Sequence, residues 1–142
     1  MALNLRGSFL CAREVLRYMV PQGRGAIVNM ASDAAFQGNG GSSVPYAAAK
    51  AGVITLTVGL AREFAHKGIR VNAVSPGHID TPLWRKFAAV GGEDFLEHID
   101  EIIPMGRLGK PEEVAELVCF LSSDASPFVN GVTIRVDGGM VA

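Results

Sequence analysis

The chain has almost no surplus charge. Its 142 residues hold 13 Lys and Arg against 14 Asp and Glu, a formal net charge of −1 at pH 7. That balance excludes the basic footprint of a nucleic-acid binder or of a protein drawn to an anionic membrane. It also has few cysteines, only Cys11 and Cys119, both in apolar helical runs. This pattern predicts buried free thiols in a reducing, cytoplasmic setting rather than a disulfide framework. His66, His78 and His98 have no ligand spacing and no neighbouring Cys or carboxylate partners, so no metal is expected. Long uncharged runs are missing too. The longest inside a predicted helix, Ala51–Ala61, falls short of the roughly 20 residues a bilayer requires. The N-terminal stretch carries Arg6, Arg13 and Glu14 among its apolar residues and reads as an amphipathic helix, not a secretory signal. No repeat, low-complexity linker or Gly-rich phosphate loop after a first strand is present. What the chain does have is apolar residues, 49% of the total. That is enough for the core of one domain and incompatible with intrinsic disorder.

The pattern alternates. Helical periodicity runs from about Ala2 to Val20 and is predicted to end at Pro21-Gln22-Gly23-Arg24-Gly25. Ala26–Ala31 reads as a buried strand, followed by a Gly- and Ser-rich loop from Ser32 to Ser43. A long helix then starts near Pro45, whose fixed φ suits a first helical position, and ends at Lys67-Gly68. Ile69–Ser75 is a second strand, closed by Pro76-Gly77. Residues 82–103 form an irregular, part-helical insertion with Trp84, Phe87 and Phe95. Pro111-Glu112-Glu113 opens a helix to about Ser122, with acids in the first turn where the helix dipole favours them. Val132–Val136 is a third strand before Asp137-Gly138-Gly139. Apolar strands alternating with helices predict an α/β fold with a parallel sheet.

Tyr46 and Lys50 are four residues apart near the start of the long helix and share one face. A free tyrosine titrates near pH 10, and a neighbouring ammonium and a helix N-terminus both favour the phenolate. Such a pair is a candidate proton-transfer unit. Ser32 directly follows the first strand, which puts its hydroxyl at the carboxyl end of a sheet, where open α/β sheets bind ligands. The second strand ends at the same edge in Ser75-Pro76-Gly77-His78-Ile79-Asp80-Thr81-Pro82. Three loops therefore converge on one edge. Asn29, Asn72, Asp80 and Asp137 are expected to bond turn backbone instead.

These stretches resemble the short-chain dehydrogenases/reductases of the classical type. The similarity lies in Asn4-Leu5-Arg6-Gly7-Ser8-Phe9, Ile27–Ser32, Tyr46-Ala47-Ala48-Ala49-Lys50-Ala51-Gly52, Arg70–Gly77, Ile79–Pro82, Gly106–Val114 and Val136-Asp137-Gly138-Gly139, in the family's order. The resemblance implies an NAD- or NADP-dependent oxidoreductase that interconverts a hydroxyl and a carbonyl by hydride transfer. It implies a catalytic tetrad of Asn4, Ser32, Tyr46 and Lys50. Tyr46 would exchange a proton with the substrate oxygen, and Ser32 would hydrogen-bond and orient that oxygen. Lys50 would lower the tyrosine pKa and bind the nicotinamide ribose. Asn4 would hold, through its backbone, a water linking Lys50 to solvent. Ile79 and Thr81 would hold the carboxamide, and Pro76 and Gly77 would line the nicotinamide half of the cofactor. A substrate lid is implied near 82–103, and a homodimer or homotetramer through the long helix and the one before it.

The chain departs from the family at two places. The spacing from Ser32 to Tyr46 is one residue longer than usual, which leaves Asp33 as a charge beside the site. The family's phosphate loop and first four strands have no counterpart here. The resemblance therefore implies that residues 1–142 are the C-terminal catalytic part of one Rossmann-type domain, a doubly wound parallel sheet with flanking helices whose N-terminal half is missing. Such a remnant would leave apolar faces uncovered. The alternative reading is a non-catalytic fragment that associates through its helices, using the small residues Ala47, Ala51, Gly52, Gly59 and Ala61.

Overall fold

The computed structural model describes residues 2–38, 40–91 and 98–142, with backbone only at 2, 42 and 87–91. Three strands, β1 (Gly25–Met30), β2 (Ile69–Pro76) and β3 (Thr133–Val136), form a parallel sheet in the order β1-β2-β3. Ile27 lies opposite Val71, and Val74 opposite Ile134. Because side chains alternate along a strand, β2 supplies both layers. Ile69 and Val71 join Leu16, Ala61 and the partly buried Ile27, Leu60 and Phe64 on one face. Val74 joins Val114, Leu121 and the partly buried Val28, Ile134 and Val136 on the other. Each fully buried aliphatic contributes about 1.5–3 kcal/mol.

The first face is covered by α1 (Gly7–Gln22), entered through a π-helical turn at Ala2–Arg6, and by α3 (Val44–Phe64) with its 3-10 extension Ala65–Lys67. The second is covered by α6 (Pro111–Ser122). The connecting segments carry the shorter helices α2 (Ala34–Gln37), α4 (Pro82–Gly91) and α5 (Ile99–Ile102). Both crossovers step the same way across the sheet but use opposite faces, so they have opposite hands. The α/β class and the flanking helices agree with the sequence reading.

Arg70 ties the second layer to the sheet. Its guanidinium donates to the Leu121 carbonyl at 2.7 Å, the Ser123 carbonyl at 2.9 Å and Ser126 Oγ at 3.0 Å, satisfying the C-terminal end of α6. At the other end Glu113 accepts the Lys110 backbone N–H at 2.7 Å and the Arg107 fork at 2.7 and 2.9 Å. The Arg107 hydrogen bonds come first among the causes that hold the Glu113 pKa near 2 rather than at its ordinary 4.5. A carboxylate depressed in this way stabilises the folded state above its unfolded pKa. That contribution is lost as the pH falls through the folded value. A carboxyl-carbon NMR titration will therefore give Glu113 a midpoint near 2, and Arg107→Gln will move it back toward 4.5.

Several expectations change. α1 runs past Pro21 to Gln22 and ends at Gly23, whose φ of 66° and N–H bond to the Val20 carbonyl close it. Pro21 sits in the last turn and removes only its own N–H bond. The Ser32–Ser43 segment is not all loop. The Asp33 carboxylate accepts the Ala34 N–H at 2.7 Å and starts α2, which Gly38 ends at φ 77°. Cys11 and Cys119 are free, as expected, but exposed. They fall outside the apolar arcs of α1 and α6. Residues 82–91 are regular helix, started where Thr81 Oγ1 accepts the Trp84 N–H at 3.2 Å. Trp84 is half-buried, its ring 6.0 Å from that of His78. The Phe87 side chain and Phe95 lie outside the described residues. Finally, Val44–Lys67 is 24 residues with mean hydropathy 1.4, long and apolar enough to cross a bilayer despite its short uncharged run. Its placement is that of a core helix, with Lys50 and Thr57 buried and hydrogen-bonded against the sheet.

Candidate active site

The sheet's carboxyl edge is where the predicted residues meet. A cavity of about 460 Å³ is lined by Ser32, Tyr46, Lys50, Pro76, Gly77, Ile79 and Thr81, together with Met30, Ala31, Leu83, Pro111 and Val114. Ser32 comes from the end of β1 and Pro76 and Gly77 from the end of β2. Tyr46 and Lys50 come from the first turns of α3. Asn4 is not among the lining residues. It sits half-buried in the π-helical turn, and its carbonyl accepts Ser8 Oγ at 2.8 Å. That turn is seated on α3, where a Cβ on Gly52 would come within 2.9 Å of Leu5.

Lys50 is 9% exposed, and burial pushes its pKa below the ordinary lysine value. Its ammonium donates to the Met30 carbonyl at 2.7 Å and lies 5.7 Å from the centre of the Tyr46 ring. The Met30 partner is a backbone atom, so no side-chain pattern announces it. Two further N–H groups of Lys50 remain to be shared. Tyr46 is 41% exposed, with its ring at the cavity wall. The small residues just after it, Ala47 and Ala49, are buried and let the helix pack closely.

Ser32 is 8% exposed. Its hydroxyl donates to Asp33 Oδ1 at 2.9 Å and accepts the Ala34 N–H at 3.3 Å. Asp33 is 7% exposed and also accepts from Gln37 Nε2 at 3.4 Å. Across the edge, Gly77 lets β2 approach Asp137, whose Cβ would stand 2.9 Å from an added Cβ. Ile79 forms a parallel bridge with Gly109 through the His78 carbonyl and the Asp80 N–H. Ile79's own backbone groups take no part in that bridge. Burial lowers the His78 pKa, partly offset by the charge of Asp33.

The four residues read as turn-bonders divide. Asn72 donates to the Val129 carbonyl at 2.8 Å and accepts the Val132 N–H at 3.2 Å. Asp137 accepts the N–H groups of Gly139 and Val141 at 3.1 and 3.3 Å. Asn29 instead donates to Thr57 Oγ1 at 2.9 Å, joining β1 to α3. Asp80 pairs with Arg85 at 2.6 and 2.8 Å. Pro111 and Val114, which the sequence gives no site role, close one cavity wall.

Comparison with known proteins gives the same assignment. The family model described as enoyl-(acyl carrier protein) reductase matches residues 1–141. The chain is 47% identical to 3-oxoacyl-(acyl-carrier-protein) reductase of Thermotoga maritima over 139 residues, covering 98% of this chain and 54% of that protein. It is 44% identical to the (3R)-3-hydroxyacyl-CoA dehydrogenase of Homo sapiens over 140 residues, covering 98% and 52%. The gluconate 5-dehydrogenase of Burkholderia cenocepacia, solved with NADP and tartrate, superposes with a TM-score of 0.87 at 38% identity, covering 96% of this chain and 52% of that one. The chain thus spans about half the length of the curated relatives it matches. With this match in sequence and in backbone, the chain belongs to the short-chain dehydrogenase/reductase family.

Proposed function

We propose that the protein carrying this chain is an NAD- or NADP-dependent oxidoreductase that interconverts a hydroxyl and a carbonyl on a small molecule, with Tyr46 as general acid/base. One observation carries the reading. Ser32, Tyr46, Lys50, Pro76, Gly77, Ile79 and Thr81, drawn from two strand ends and two helix starts, line one cavity. The donor set suits a nicotinamide nucleoside. Lys50 keeps two N–H groups for ribose hydroxyls beyond the one given to Met30. Thr81 Oγ1 accepts from Trp84 and retains its own hydrogen for a carboxamide, beside the backbone groups of Ile79, which the bridge to Gly109 does not use. Pro76 and Gly77 form the floor. When bound, the nicotinamide supplies or takes up the hydride.

The chain's own residues then handle the proton. In oxidation the Tyr46 oxygen takes the hydrogen of the substrate hydroxyl, and in reduction it returns a proton to the carbonyl oxygen. Lys50, one helical turn away, stabilises the anionic form of the phenol by its charge. Asn4, in the π-helical turn packed on α3, would hold through its backbone a water leading from Lys50 to solvent. Ser32 fixes the substrate beside Tyr46. The same reading includes self-association through α1 and α3, where Phe9, Val15, Tyr18 and Val58 are exposed, and a cytoplasmic location for the free thiols. The test is turnover. A panel of alcohols and ketones is offered with both cofactors in both directions and followed by the absorbance of the reduced nicotinamide. Cofactor-dependent conversion is expected, and a folded protein that converts none of the panel overturns the reading.

A further inference from the structure

We propose that Asp80 and Arg85 form a charged staple across the start of α4, which positions Thr81 and Leu83 at the cavity and so sets how tightly a nicotinamide cofactor is held. The inference rests on the cofactor reading above. Thr81 is the N-cap of α4. Its hydroxyl accepts the Trp84 N–H at 3.2 Å, its carbonyl accepts the Arg85 N–H at 2.9 Å, and Pro82 takes the first helical position. Asp80 is then the residue before the cap, and Arg85 is the fourth of the helix. At these two places helices often carry apolar side chains that pack together and fix the angle at which the chain enters. Here a bidentate ion pair at 2.6 and 2.8 Å stands in their place.

One end of the staple is anchored. The Asp80 N–H donates to the Gly109 carbonyl at 2.8 Å and the Gly109 N–H to the His78 carbonyl at 3.0 Å, which ties the segment to the loop before α6. The helix end has less to hold it. Pro82, Leu83 and Arg85 are exposed, and Trp84 is half-buried beside His78. Between the two charged residues lie Thr81 and Leu83, both of which line the cavity. A change in the angle of α4 therefore moves the Thr81 hydroxyl, while Ser32, Tyr46 and Lys50 stand on other elements. The effect of the pair belongs in cofactor affinity and not in the proton step, and an exposed pair is open to screening by salt.

The test is a double-mutant cycle of Asp80→Ala and Arg85→Met, read in two ways. The side chains are 38% and 69% exposed, so the variants keep the fold. Trp84 is the one tryptophan of the sequence, and acrylamide, an uncharged quencher, reads its exposure with no cofactor present. Each single variant is expected to raise quenching about twofold. Each should also weaken binding of NADH or NADPH, whichever the wild type takes, by about two- to fivefold, the range of a well-formed exposed ion pair. Turnover at saturating cofactor should stay within about twofold of wild type, since the proton step is untouched. The double variant should be no worse than either single one. An effect of Asp80 on the helix dipole alone would instead add to that of Arg85→Met. Additive effects on quenching, or a cofactor dissociation constant unchanged in both single variants, overturn the inference. A wild type that binds neither NADH nor NADPH sinks the hydride-transfer reading and the cofactor arm with it, while the quenching cycle decides the staple by itself.

Discussion

Replacing Tyr46 with phenylalanine will lower hydride transfer by about a hundred- to ten-thousand-fold, the range a positioned proton donor contributes. The substitution is clean because of where the ring sits. Tyr46 is 41% exposed at the cavity wall, so phenylalanine keeps the ring and its contact with the Lys50 ammonium 5.7 Å away. Only the phenolic oxygen is lost, and changes at such partly exposed sites shift stability by about 0.5 kcal/mol or less. The loss should therefore appear in kcat, with cofactor affinity and unfolding midpoint close to wild type. Lys50 offers no such separation. It is buried and donates to the Met30 carbonyl, so its removal orphans a strand carbonyl as well as changing the electrostatics of the phenol. Turnover within tenfold of wild type in Tyr46→Phe would remove Tyr46 from the proposal as its general acid/base.

The parts of this arrangement that are local in the chain were legible in the sequence. Tyr46 and Lys50 share a face because four residues make about one helical turn. Ser32 was placed at a strand end by the apolar run before it. What joins these two pieces is the register of β1 on β2 and the packing of α3 across them, and the strand runs at 26–31 and 69–75 sufficed to predict that crossover. Contacts made by backbone or by short side chains against their own neighbours were not legible. The Met30 carbonyl has no residue signature. Asp33, read as a stray charge, both starts α2 and takes the Ser32 hydrogen. The Gly- and Ser-rich composition around it masked that helix. Cys11 and Cys119 are exposed although their runs are apolar, because apolar content alone does not fix the helical angle. In α6 the stripe is Val114, Leu117 and Leu121, and Cys119, two residues past Leu117, points the opposite way.

Gly68→Ala will destabilise the protein by about 3 kcal/mol or more, and Gly23→Ala by only about 1–2 kcal/mol, although both glycines end helices in the left-handed region. Gly68 has a φ of 73° and Gly23 a φ of 66°, so the conformational penalty for an added Cβ is similar. Their surroundings differ. A Cβ on Gly23 meets nothing within 4 Å, while one on Gly68 would stand 2.2 Å from the Gly23 carbonyl oxygen and 3.1 Å from its carbon. These are backbone atoms, so no side chain can turn aside to make room. The two helix ends abut where the Gly25 N–H bonds the Gly68 carbonyl at 3.2 Å, directly before Gly25 pairs with Ile69 and the sheet begins. Relieving the clash means parting α1 from the end of α3 at the point that sets the β1 register. That register also carries the Met30 carbonyl to Lys50 at the far end of the strand. Against a total stability of about 5–15 kcal/mol, the loss in Gly68→Ala should appear as a large drop in the urea midpoint with little change in slope. Equal midpoints for the two variants would mean that the helix ends separate freely, and that the close approach plays no part in fixing the strand.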